Sequence, residues 1–142
     1  MLNYGVSLPD ATVDVDATAV IGLTGDNFDS TAIPVRKMNF SILHNADLVG
    51  FPVIVPGSAI NSLKSTITYS IISDGTFNNV DILNIVVDFK HNVYINDGEL
   101  LKITVYGKAF GYTPLTFSNA EFEWDSSSAD DVWTSNGSVD VI

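Results

Sequence analysis

Apolar and polar residues alternate with a period of two through most of this chain, and no stretch keeps a helical period. In Val35 to Leu43, Met38, Phe40 and Ile42 share one face, and Lys37, Asn39 and Ser41 the other. In Leu63 to Ile72, Ile67, Tyr69 and Ile71 oppose Thr66, Thr68 and Ser70. In Val80 to Phe89, Leu83, Ile85, Val87 and Phe89 oppose Asn84 and Asp88. Such runs have the period of strands with one buried face. Further strands are expected at Ala11–Val15, Ala19–Thr24, Val93–Ile95, Glu99–Tyr106, Leu115–Trp124 and after Asn136-Gly137. Leu48 to Val55 is almost wholly apolar and is expected to be buried on both faces or to run between sheets. Breaks at Gly25-Asp26-Asn27, His44 to Asp47, Pro56-Gly57, Asp74-Gly75, Lys90 to Asn92 and Gly107 to Pro114 separate the runs. The sum is about nine strands, an all-β sandwich occupying residues 1–142 as one domain.

Composition narrows the function. The 142 residues carry 17 Asp plus Glu against six Lys plus Arg, a net charge of −11. Nucleic-acid binding needs clustered cations and is excluded, and anionic membrane surfaces are disfavoured. The charge serves solubility, and it favours basic partners on encounter. With no cysteine there is no disulfide, thiol nucleophile or zinc-thiolate site. No apolar run reaches the length of a membrane span. The N-terminus lacks the basic and apolar regions of a signal peptide, so a secreted or cell-surface location, which the family resemblance below implies, would make this sequence an excised module or mature segment of a larger protein.

Candidate chemistry is sparse. His44 and His91 are each expected in a solvated loop, and no nucleophile motif or phosphate loop accompanies them. Glu121 and Glu123, two apart on a strand, face the same way; the pair suits a glycosidase or simply a polar face beside a buried Phe122. Asp125, Asp130 and Asp131 cluster in one loop without the ligand spacing of an EF-hand. Trp124 and Trp133, with Tyr106 and Tyr112, would stack on sugars if they formed an exposed flat row; otherwise the rings cap the core. Neither catalytic residues nor a bound metal or cofactor are expected.

One surface stands out. If the strands bearing Lys37, Asn39 and Ser41, then Thr66, Thr68 and Ser70, then Asn84 and Asp88 are neighbours, they present a flat patch of mostly short hydrogen-bonding side chains. Such a patch suits protein recognition, because little side-chain entropy is lost on binding; the alternative is ordinary solvated sheet surface.

The order of these pieces resembles one family. MNFSILHNADLVGFPVIVPGSAI, Met38 to Ile60, is similar to the third-strand region of cohesin modules, with Phe40, Leu48, Val49 and Pro56-Gly57 in matching places. VDILNIVVDF followed by NDGELLKITVYGKAFGYTPLTF resembles the later cohesin strands with their Asp-Gly turn, and NGSVDVI the closing strand. The likeness spans Val35 to Ile142; it departs from the family at His44-Asn45-Ala46, where a Tyr-Asp-Pro turn is usual, and in the N-terminal third. The resemblance implies a nine-stranded jelly-roll sandwich, a monomer, that binds a dockerin and assembles extracellular multi-enzyme complexes. It places calcium on the dockerin partner. It implies partner contacts at Lys37, Asn39, Ser41, Thr66, Thr68, Ser70, Asn84 and Asp88, and in the last loop at Asp125, Ser126, Asp131 and Val132. A carbohydrate-binding module and a structural domain of a surface adhesin are the rival readings, since one architecture hosts all three.

Overall fold

The computed structural model describes residues 5–28, 34–73, 79–125 and 128–142, with backbone alone at 124, 125 and 128–131. The strands are β1 (Gly5–Ser7), β2 (Asp10–Val13), β3 (Thr18–Asp26), β4 (Val35–Asn45), β5 (Val49–Pro56) and β6 (Thr66–Ser73), followed by β7 (Val80–Val93), β8 (Gly98–Gly107), β9 (Gly111–Asp125), β10 (Ser128–Asp131), β11 (Trp133–Ser135) and β12 (Gly137–Val141). They form two sheets. One runs β11-β1-β3-β8-β5; the other runs β2-β12-β9-β4-β7-β6, with β10 on the free side of β9.

The strand count exceeds nine for a physical reason. β1 and β2 are one run that changes sheets at Leu8-Pro9, and β11 and β12 are another that changes at Asn136. Proline donates no ladder hydrogen bond, so Pro9 is a natural place to leave one sheet for the other. Counted as continuous runs, nine strands remain, with β10 as a short addition. β1 pairs in parallel with β11, and β2 in parallel with β12, which ties the two ends of the chain together across both sheets.

The core lies between the sheets and comes from the alternation seen in the sequence. Met38, Phe40 and Ile42 of β4, and Leu83, Ile85, Val87 and Phe89 of β7, are all buried, as are Leu101, Ile103 and Val105 of β8. Phe122 stacks on Phe28 at 5.2 Å between ring centroids and meets Phe40 edge-on at 5.9 Å. Phe40 also tilts against Phe117 at 6.4 Å.

Four expectations need correction. β5 is an edge strand of the five-stranded sheet, not a strand buried on both faces: Phe51 and Ile54 point inward while Val53 and Val55 stand exposed, the register shifting between Gly50 and Val53. The loop expected at Lys90 to Asn92 and the short strand at Val93 to Ile95 do not form; β7 runs on to Val93 with Lys90 in the left-handed region at φ 66°. Residues Gly111 to Pro114 belong to β9 and not to a connection, and Gly111 supplies φ 146° with the Leu48 side chain packed against its Cα. β6 begins at Thr66 rather than Leu63, because Gly57 to Leu63 forms turns in which the Ile60 amide donates to Gly57 O at 3.1 Å and buries Ile60. The backbone of Glu99 passes so close to Gly57 that a Cβ there would meet its carbonyl oxygen at 2.3 Å, which fixes glycine at that turn.

Candidate functional site: a polar sheet face

β9, β4, β7 and β6 are consecutive neighbours in their sheet, so the outward residues of these strands fall into rows. Glu123, Lys37, Asp88 and Thr66 make the first row. Glu121, Asn39, Val86 and Thr68 make the second, and Asn119, Ser41, Asn84 and Ser70 the third. With strands about 4.8 Å apart and alternate residues about 7 Å apart, the grid measures about 14 Å each way. The three strands named from the sequence do lie side by side, and all eight of their polar residues fall on this face.

Local interactions tie the grid together. Ser41 Oγ donates to Asn84 Oδ1 at 2.6 Å, linking β4 to β7. Asp88 Oδ1 accepts the Lys90 amide at 2.8 Å, which supports the left-handed residue next to it. Lys37 Nζ lies 3.9 Å from Glu123 Oε2, with both side chains part-exposed, so the pair orients more than it stabilises. Among the described side chains of the grid, three carboxylates (Glu121, Glu123, Asp88) stand against one ammonium, Lys37. The face is therefore net acidic.

Three grid residues from β9, Asn119, Glu121 and Glu123, were not assigned to the face from the sequence, nor was Val86. Spacing alone puts the Glu pair on one side of its strand, but only the pairing of β9 with β4 puts that side next to Asn39. Val86 interrupts the polar row of β7 with an apolar side chain, which hid it from a search for polar positions.

Of the expected contacts in the last loop, the structure sets Val132 apart. Ser126 lies outside the described residues. Asp125 ends β9, and the chain returns as β10, whose Asp131 pairs with Glu121 and Ala129 with Glu123, so this backbone flanks the grid. Val132 does not join it: it is 8% exposed and turned into the core, because its position after β10 leads the chain over to the other sheet. The next row of the sheet runs Thr116, Leu43, Ile82 and Ile72, apolar on three of its four strands. Beyond it β9 leaves β4 for β12, and the fork leaves a depression of about 310 Å³ lined by Leu43, Val80, Tyr112 and Pro114 among others.

The other candidates do not converge. His44 is not in a solvated loop; it is the penultimate residue of β4, 2% exposed, edge-on to Phe51 at 4.7 Å, with Nδ1 3.4 Å from Ile42 O. Burial holds its pKa below the ordinary histidine value, the Ile42 carbonyl opposing that shift. His91 is exposed on β7. Trp133 lies against Gly5, where its ring fills the space a side chain would take. Tyr106 belongs to the five-stranded sheet, its hydroxyl donating to Asp16 at 2.8 Å, whereas Tyr112 belongs to the other sheet. The described aromatics therefore form no single flat row. Among the described residues no three His, Asp or Glu side chains sit close enough to share a metal ion.

The class this defines is a two-sheet jelly-roll sandwich, one of whose outer faces is polar. No family model matches the sequence, and no curated protein matches it. Solved structures do match, over nearly the whole chain. A type I cohesin in complex with its dockerin, from Clostridium thermocellum, superposes with a TM-score of 0.75 at 11% identity, covering 99% of this chain and 100% of that one. A second such complex from the same organism gives 0.70 at 19% identity, covering 99% and 96%. A non-cellulosomal cohesin from the archaeon Archaeoglobus fulgidus gives 0.68 at 17% identity, covering 99% and 92%. The chain has the cohesin fold.

Proposed function

We propose that this chain is a non-catalytic protein-binding module that docks a dockerin on the outer face of β9, β4, β7 and β6. The observation that carries the reading is the grid: a rigid sheet face of mostly short polar side chains, in a fold whose solved relatives include cohesins in complex with dockerins. A partner meeting it loses little side-chain entropy on either side. The excess of carboxylates favours a partner that brings Lys or Arg, and the charge of −11 speeds its approach. A grid about 14 Å across falls well short of the roughly 800 Å² that each partner buries in stable complexes. The footprint therefore extends past the grid, onto the apolar row of Leu43, Ile82 and Ile72 and toward β10. Val86, central and apolar, is the anchor of the contact.

The module works outside the cell as part of a larger secreted or surface protein, and calcium belongs to the dockerin. Calorimetric titration with a panel of calcium-loaded dockerins tests this. One or more bind the wild type; Val86→Lys lowers that affinity by about a hundredfold, as expected for a central hot spot, and Val20→Lys on the opposite sheet leaves it unchanged. Failure of every dockerin to bind sinks the proposal.

A further inference from the structure

Sheet edges offer unpaired backbone donors and acceptors to any passing strand, and folded proteins protect them with brevity, proline, charge or bulges. Most edges of this sandwich follow that rule. β11 has three residues, and β2 and β10 have four each. β5 carries Pro52 and a register shift between Gly50 and Val53. β6 does not follow it. Its eight residues, TITYSIIS, contain no charge, proline or glycine, and pair with β7 in unbroken register. Among the described residues no strand lies on its far side.

The side chains of this edge are also uncovered. Tyr69, Ile71 and Ile72 are 39%, 44% and 49% exposed. Tyr69 and Ile71 point toward the sandwich interior, but β5 reaches them only at the rim, where Tyr69 hydroxyl donates to Pro52 O at 2.9 Å. A strand added to β6 would pair the open backbone and cover these residues at once.

Against the monomer that the family resemblance implies, we propose that the added strand is β6 of a second copy of this chain, joined antiparallel about a twofold axis through Ser70. That register sets Tyr69 opposite Ile71 of the other copy, twice, and Thr68 opposite Ile72, while Ser70 meets its own equivalent. Tyr69 and Ile71 thereby form two aromatic–β-branched pairs, a favourable cross-strand type, and Ile72 lies against the Thr68 side chain, inward facing inward and outward facing outward. No charge opposes another along the seam, although each copy carries −11. The result is a sheet continuous through both copies. The polar grid on its outer face stays open and only Ile72 is shared with the footprint proposed above, so the inference does not depend on the dockerin reading, and a two-headed binder follows if both hold.

Sedimentation of the whole chain over a wide concentration range tests it. The expected mass rises toward that of two chains, and rises further with added salt, because screening removes the net repulsion while the seam is uncharged. Ile71→Lys, which supplies the missing edge charge at a part-exposed position, keeps the far-UV spectrum and stays a monomer; Val20→Lys still pairs. Because the chain has no cysteine, Ser70→Cys forms a disulfide-linked dimer in oxidant much faster than Asp47→Cys at an exposed turn. A monomer at every concentration and salt overturns the proposal. So does pairing that survives Ile71→Lys, or cross-linking through Ser70→Cys no faster than through Asp47→Cys.

Discussion

Phe40→Ala removes the side chain that underlies the centre of the polar face. Phe40 is 1% exposed and sits between Asn39 and Ser41 in sequence, with Phe122 edge-on at 5.9 Å and Phe117 at 6.4 Å. Losing the burial of the ring costs about 2–3 kcal/mol. The two aromatic contacts add about 0.5–1.5 kcal/mol each. Both sheets are braced by hydrogen-bonded neighbours, so the site collapses little and the cavity term is felt. The total falls in the middle of the usual range for this change, about 4 kcal/mol. For a chain of this length that lowers Tm by about 10 °C. Urea denaturation followed by circular dichroism measures it, with the denaturant slope unchanged from the wild type. Phe110→Ala, at a residue 76% exposed, is the control and shifts stability by less than about 0.5 kcal/mol. A loss below about 1 kcal/mol for Phe40→Ala would refute the claim that the alternation of β4 builds the core.

Other outcomes follow from single residues. His44 is buried with its pKa held down by desolvation, so between its ordinary value and its folded value the unfolded chain binds more protons than the folded one. Stability therefore falls as pH drops below about 6.5, and His44→Leu flattens that slope in urea titrations between neutral and mildly acidic pH. Asp97 Oδ1 accepts the Phe28 amide at 2.6 Å, pinning the end of β3 to the turn before β8. Asp97→Ala costs about 1.5 kcal/mol in the same assay, the range for a hydrogen bond to a charged group. Lys37→Ala changes stability by less than about 1 kcal/mol, since its ion pair with Glu123 is part-exposed and 3.9 Å long.

Period-two alternation carried most of the fold. Met38, Phe40 and Ile42, and Leu83 through Phe89, face inward as their spacing requires, because one face of each strand must be dry. What alternation does not carry is which strands are neighbours. Ser41 pairs with Asn84 and Asn119, partners 43 and 78 residues away, and only the closed topology brings Glu121 and Glu123 beside Asn39. The sheet changes at Leu8-Pro9 and Asn136 were hidden for the same reason: a break in pattern marks a turn and a change of sheet alike. Turn-forming residues begin immediately after His44, yet the strand runs one residue past it and buries its ring against Phe51. Val132 reads as a loop residue after Asp130-Asp131, but an apolar side chain near a strand end is free to turn inward.

Nuclear magnetic resonance of the labelled chain, titrated with a dockerin that calorimetry shows to bind, tests the central claim most directly. The expected shifts centre on Asn39, Ser41, Thr68, Asn84, Val86 and Glu121, extend to Leu43 and Ile82, and leave Val20, Val53 and Thr104 of the opposite sheet unmoved. Shifts centred on that opposite sheet, or on the exposed Phe110 and Tyr112, would contradict it.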